Sequence, residues 1–166
     1  MPVIKVQPLT PEAFQPFGVV LQLPQRSPDI ETEINRYWDD AAPFRVTGAP
    51  QLGFLEAHRR PFVVEWMEFH KSHTQGFIPL GGESFIIAVA PPGTPLVQVP
   101  YAVQAFLMEG SCGVIIHQFT WHHVLFPLAP RAHAIVLLQQ GVRENDMFIS
   151  RLVEPVEIVL EEDGGA

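Results

Sequence analysis

"WMEFHKSHTQGFIPLGG", residues 66–82, is the stretch whose reading decides the fold. Its first half alternates. In an extended strand successive side chains point to opposite faces, so Trp66, Glu68 and His70 share one face and Met67, Phe69 and Lys71 the other. A carboxylate and an imidazole two residues apart on one strand face predict an interior polar site, because polar groups are costly to bury without a role. "KSHT" then reads as a turn, His73 included. Gln75, Phe77 and Pro79 start a return strand that Gly81 and Gly82 close.

The same texture extends in both directions. Seventeen prolines and twelve glycines punctuate apolar bursts of four to eight residues, such as "GVVLQL", "SFIIAVA", "GVIIHQF" and "HAIVLL". Many short strands with frequent turn signals predict an all-β sandwich or barrel. "PLVQVPYAVQAF", residues 95–106, puts Val97, Val99 and Tyr101 on one parity, which predicts an edge strand or two short strands broken at Pro100. Helical signal is confined to the N-terminal part. "LTPEAFQPFG", residues 9–18, has Thr10 as N-cap, Pro11 in the first turn and Gly18 as the stop. "ETEINRYWDDAAPF", residues 31–44, reads as a helical turn or an ordered loop, and its "RYWDD" is suited to covering a pocket. Residues 20–33 read as a mobile surface loop and residues 161–166 as a frayed acidic tail.

A second polar segment is "GVIIHQFTWHHVLF", residues 113–126. By the same parity, His122 and His123 face opposite sides of their strand, so only one of them enters an interior site. His123 is expected on the reverse face or at a subunit contact. His58, beside Arg59 and Arg60, reads as a solvated turn.

Composition bounds the function. With 166 residues, 47% hydrophobic and 17% charged, the chain is globular and is expected to form one domain over residues 1–166. A formal charge of −8 argues against nucleic acid or an anionic membrane surface as partner. The longest apolar runs are too short to span a bilayer. The start "MPVIKVQPLT" lacks a secretory leader pattern and Cys112 is the single cysteine, so a cytoplasmic location is expected.

The two polar segments together resemble the two cupin motifs. Glu68, His70, Gln75 and Gly82 stand at the spacing of the first motif, with an amide at the acidic position. The second motif ends in a histidine three residues after a turn glycine; here Phe119 takes the glycine's place and His122 follows. More specifically, the chain resembles the ureidoglycolate lyase (ureidoglycolate hydrolase) family. The likeness runs from residues 9–18 through "RYWD" at 36–39 and "TQGFIPLGGESFIIAVA" at 74–90 to "WHHVLF" at 121–126. It departs from the family pattern at Phe69 and Gln104, where arginine is usual, and at His133, where aspartate is common.

What the resemblance implies is a cupin-like double-stranded β-helix, or jelly-roll barrel, with one or two short helices near the N-terminus, assembled as a homodimer. The implied reaction is cleavage of ureidoglycolate to glyoxylate and urea. It needs a general base, a general acid and a clamp for the substrate carboxylate. His70 and His122 are the expected proton carriers, with Glu68 orienting His70 and Gln75 bonding the ureido group. Glu68, His70, Gln75 and His122 also suit a divalent metal ion (Ni, Zn or Mn), and no organic cofactor is expected. Arg36, Tyr37, Lys71, Trp121 and His133 are the candidates for substrate binding. The alternatives are a non-catalytic small-molecule-binding cupin and an enzyme for a different small polar acid or ureide.

Overall fold

A computed structural model describes residues 1–161. The strands follow the apolar bursts. β1 is Val3–Pro8, β2 Gly18–Leu21, β3 Ile30–Glu31, β4 Arg36–Tyr37, β5 Pro50–His58, β6 Val63–Phe69 and β7 Gln75–Leu80. β8 is Phe85–Ala90, β9 Gln104–Met108, β10 Gly113–Ile116, β11 Trp121–His122, β12 Phe126–Pro127, β13 Arg131–Gln139 and β14 Phe148–Val159. Short helices α1 (Pro11–Phe14), α2 (Val99–Ala102) and α3 (Val142–Asn145) lie between them.

Two sheets face each other. One runs β2-β10-β7-β13-β5, and the other runs β11-β6-β14-β1-β9-β8-β12. In the larger sheet β8 also pairs with β11, so six strands close into a ring. β8 shows how the layers share one wall. All six residues of its "FIIAVA" are buried. Phe85, Ile87 and Val89 pack into the core between the two sheets with Phe77, Phe106, Val114 and Ile116. Ile86, Ala88 and Ala90 pack into a second core inside the ring, with Met67, Ala105, Trp121 and Ile158. A strand buried on both faces has no polar side to show, hence its uninterrupted hydrophobicity. The result is the all-β, cupin-like jelly-roll barrel that the sequence implies.

Local details follow sequence chemistry, with two corrections. The Thr10 side chain accepts the Ala13 N–H and caps α1, with Pro11 in the first turn as expected. Gly18, however, does not stop the helix. It opens β2, where a Cβ would meet the Ile115 carbonyl oxygen at 2.1 Å, so only glycine lets the strands pair there. The stretch around Val97, Val99 and Tyr101 is not a strand. It is a 3-10 turn, Leu96–Gln98, running into α2, and Pro100 sits in the helix's first turn, where its missing N–H has no partner to lose. Strand resumes only at Gln104.

The stretch expected as a helical turn or an ordered loop has no helix: β3 and β4 pair as a separate exposed hairpin, and the rest of residues 31–44 is loop. The acidic tail expected at 161–166 lies, beyond Glu161, outside the described residues. Among the described residues no helix is long and apolar enough to cross a membrane.

Candidate active site

β6 and β11 pair antiparallel with His122 directly opposite Glu68. Met67 and Trp121 belong to the core inside the ring, so Glu68, His70 and His122 point the other way, into the space between the sheets. Glu68, His70 and His122 are all buried there. One ligand atom from each lies within 4.8 Å of the others. Gln75 opens β7 on the face it shares with Phe77, whose ring centre is 6.3 Å from that of His122. The structure thus gathers Glu68, His70 and His122, with Gln75 on the facing sheet.

It adds a residue that the sequence placed in an ordinary turn. His73 is fully enclosed, and its ring centre stands 4.8 Å from that of His70. His122 stands 5.0 Å from His70 on the same measure. Asp146, the residue that ends α3, draws this turn inward. Its carboxylate accepts the Lys71 N–H at 2.8 Å, the Ser72 N–H at 2.9 Å, the Ser72 hydroxyl at 2.5 Å and His73 Nδ1 at 2.9 Å. Burial works against the charge on Asp146, but the Ser72 and Lys71 donors outweigh it and hold the carboxyl down at about 2.

The hydrogen bonds fix which ring nitrogen faces the hollow. His70 Nδ1 donates to the Asp146 carbonyl at 2.7 Å, and His122 Nδ1 to the Thr120 carbonyl at 3.0 Å. A carbonyl can only accept, so Nδ1 carries the hydrogen in both rings and Nε2 of each neutral ring is a bare acceptor. His73 is tied in the same sense by Asp146. Four buried side-chain atoms among the described residues have no hydrogen-bond partner: Nε2 of His70, His73 and His122, and Oε1 of Gln75. A buried acceptor left without any partner is costly, so such atoms are normally met by water or a bound group. Such a cluster calls for a bound group that supplies positive charge or hydrogens.

Electrostatics divides the labour. Burial lowers the His70 pKa, and the neighbouring His122 charge lowers it further. Burial would raise Glu68, but hydrogen bonding to His122 and the charges of His122, His70 and His123 lower it overall. At neutral pH this makes Glu68 an anion and His70 a neutral base. Glu68 Oε1 lies 3.4 Å from His122 Nε2, a contact that becomes an ion pair only when that nitrogen carries a proton. His123 parts from its neighbour as parity requires. Its Nδ1 donates to the Trp66 carbonyl at 2.8 Å, its ring stacks on Phe126, and burial pushes its pKa down to about 4.

Other expected site residues stand elsewhere. Trp121 is buried on the opposite face from His122, with its ring N–H on the Thr94 carbonyl. Lys71 is exposed, its ammonium 4.2 Å from the centre of the Phe148 ring. Arg36 lies over Trp38, and Arg36 and Tyr37 are both exposed on the β3–β4 hairpin. His133 lies on the outer face of β13, bonded to Glu56 at 3.0 Å. His58 is the exposed end of β5 rather than a turn residue. Among the described residues, no lysine or arginine side chain bonds to the imidazole cluster.

The family-atypical positions do not bond to the cluster either. Phe69 packs on Trp121 and Phe148, Gln104 accepts a hydrogen bond from Gln7, and His133 faces outward. Phe119, in the place of the motif's turn glycine, adopts a positive φ of 65° and donates its N–H to the His70 carbonyl at 2.7 Å. Phe119 thus takes a left-handed conformation of the kind that favours glycine.

A jelly-roll barrel that gathers buried imidazoles, an amide and a carboxylate between its sheets has the layout of a cupin-like protein. Comparison with known proteins narrows the class. The family model described as ureidoglycolate lyase matches residues 1–159, and the chain belongs to the ureidoglycolate lyase family. It is 32% identical over 157 residues to the ureidoglycolate lyase of Pseudomonas paraeruginosa, covering 87% of this chain and 88% of that one. It is 33% identical over 160 residues to that of Stutzerimonas stutzeri, with coverage of 87% and 88%. Among solved structures, the dTDP-6-deoxy-D-glucose-3,5-epimerase RmlC of Legionella pneumophila aligns with a TM-score of 0.45 at 14% identity, over 78% of this chain and 75% of that one. A likeness that slight carries no argument.

Proposed function

We propose that the chain is a ureidoglycolate lyase, a carbon–nitrogen lyase that cleaves ureidoglycolate to glyoxylate and urea. The observation that carries this reading is the set of buried, bare acceptors in a chain of that family. Ureidoglycolate bears a hydroxyl, a carboxylate and a ureido group on one carbon. A base takes the hydroxyl proton, the oxygen's electrons form the aldehyde carbonyl, the carbon–nitrogen bond breaks, and the ureido nitrogen receives a proton to give urea. His70, kept neutral by burial, is suited to take the hydroxyl proton. His122, with the Glu68 carboxylate beside it, is suited to return one to the nitrogen. Gln75 offers an amide to the ureido group.

The same residues fit a divalent cation such as Ni, Zn or Mn, because the buried atoms left without partners are acceptors and no lysine or arginine among the described residues bonds to them. Glu68, His70, Gln75 and His122 would hold it. When bound, such a cation supplies Lewis acidity toward the substrate's hydroxyl and carboxylate oxygens. A nitrogen that held it would carry no proton, so the base and acid roles given to His70 and His122 belong to the site without the ion. No organic cofactor enters this chemistry.

Our reading includes a homodimer in the cytoplasm. The outer face of β5, β13 and β7 exposes Leu52, Phe54, Ile78 and Leu80 side by side, a patch that suits a second copy of the chain. The purified full chain, given ureidoglycolate with and without added Zn2+, Ni2+ or Mn2+, should release glyoxylate and urea in equal amounts. Tight binding of the substrate with no release under any of these conditions would leave the protein a binding module instead.

A further inference from the structure

We propose that Asp146 is a positioning residue for the site: its side chain anchors the backbone carbonyl that aims His70. The anchorage stands on geometry; its effect on turnover rests on the lyase reading.

The group that fixes His70 is main chain and comes from far away. His70 Nδ1 donates to the carbonyl of Asp146, 76 positions along the sequence, at 2.7 Å. Such an acceptor is useful only if its own residue is held. Residue 146 is held twice. Its N–H closes α3 on the Val142 carbonyl at 2.9 Å. Its carboxylate takes four donors from the turn that follows His70. Oδ1 accepts the Lys71 N–H, and Oδ2 accepts the Ser72 N–H, the Ser72 hydroxyl and His73 Nδ1. One residue therefore grips His70 with its carbonyl and the next three residues with its side chain.

α3 has no second polar tie to this turn among the described residues. Arg143, Glu144 and Asn145 are exposed, and the Asn145 amide bonds back to the Gly141 carbonyl of its own helix. Val142 is buried but apolar. His122 differs. Its acceptor, the Thr120 carbonyl, is two residues away on the same loop, and Thr120 is itself pinned to the Phe17 carbonyl through its hydroxyl at 3.1 Å. His122 is aimed locally, whereas His70 depends on a remote anchor.

The tautomer of His70 depends on that anchor. The hydrogen bond made by one ring nitrogen decides which nitrogen carries the hydrogen. In water a neutral imidazole side chain favours hydrogen on Nε2. With the Asp146 carbonyl in place the hydrogen stays on Nδ1 and Nε2 is free to accept the substrate's hydroxyl proton. If the carbonyl drifts, Nε2 can take the hydrogen and becomes a donor, which cannot act as the base. An amide does not replace the carboxylate. With its oxygen at the three-donor position, its NH2 would face the Lys71 N–H, donor against donor.

The test compares the full-length wild type, Asp146→Asn, Ser72→Ala and Val142→Ala. Nitrogen-15 NMR of the imidazoles reads the tautomers, and steady-state glyoxylate release is measured under the conditions in which wild type turns over fastest. Wild-type His70 and His73 should both carry hydrogen on Nδ1. Asp146→Asn should shift His70 toward the Nε2–H form and lower kcat about 100-fold, with KM within about threefold, because a small misplacement of a reacting group costs rate rather than affinity. Ser72→Ala, which removes one donor, should lose less in the same direction. Val142→Ala trims the other buried side chain of α3; it should be less stable in urea yet keep the wild-type tautomers and a kcat within about twofold. A wild-type His70 with hydrogen on Nε2 would overturn the proposal. So would wild-type turnover in folded Asp146→Asn, or in Ser72→Ala where Asp146→Asn does not fold, and so would a loss in Val142→Ala as large as that in Asp146→Asn. If the tautomers behave as described but wild type releases no glyoxylate, the lyase reading fails and the anchorage stands.

Discussion

Two places in this molecule carry the same pattern of residues. On β6, Glu68 is followed two residues later by His70, and His122 lies directly across on β11. On β5, Glu56 is followed two residues later by His58, and His133 lies directly across on β13. Their surroundings differ completely. The outer group is partly exposed, and Glu56 holds His58 Nε2 at 2.8 Å and His133 Nε2 at 3.0 Å. Those two histidines pull the Glu56 carboxyl down to about 2. In the inner group the Nδ1 atoms are occupied by backbone carbonyls, and the Nε2 atoms are buried without hydrogen-bond partners. The lesson is that residue types and strand spacing do not separate a surface ion cluster from a reactive one. Which ring nitrogen is tied, and by what, does.

The hardest blow to this contrast would come from alanine at the matched histidines. His122→Ala should lower glyoxylate release by roughly 10²–10⁴-fold, while His133→Ala should leave it within about twofold. Equal losses at both positions, in steady-state assays of folded protein, would erase the distinction. The next effect concerns what covers the outer group. Phe54 packs on His133, with ring centres 5.4 Å apart, so Glu56 shares its face with the apolar patch. Replacing Leu52 and Phe54 together by Glu should convert a dimer to monomers in sedimentation velocity. An unchanged sedimentation coefficient would mean that this face is not the contact.

A smaller effect sharpens the electrostatic side. The Glu56 carboxyl titrates below its ordinary 4.5 in the folded protein. The unfolded chain therefore binds the extra proton first, so any stabilisation from this group is complete above about pH 4.5 and fades as the pH falls toward 2. Carboxyl-carbon NMR in 1 M NaCl should move the Glu56 midpoint upward by about one unit, because exposed ion pairs are screened. A midpoint indifferent to salt would show that the outer group is shielded after all. The smallest effect is expected at Phe119. Phe119→Gly relieves a left-handed backbone but adds freedom to the unfolded chain, so stability should change by less than about 1 kcal/mol in urea titrations.

Much of the inner site was legible because strand parity is a strict rule. It put Glu68 and His70 on one face and separated His122 from His123. His73 was not legible, because turn signals describe backbone preference and say nothing of burial. What buries it is Asp146, a residue 73 positions away. The outward course of His133 was hidden for a related reason: alternation tells which residues share a face but not which face is covered. The helix over Val99–Ala102 was misread since three apolar residues cannot distinguish a period of 2 from one of 3.6, and Pro100 serves a helix start as well as a strand break.

β8 has a consequence for the way the molecule comes apart. Its odd residues belong to the core between the sheets and its even residues to the core within the ring, so neither core can dissolve while the other keeps this strand in place. Heat should find no half-melted species, and calorimetric and van't Hoff enthalpies should coincide for each protomer.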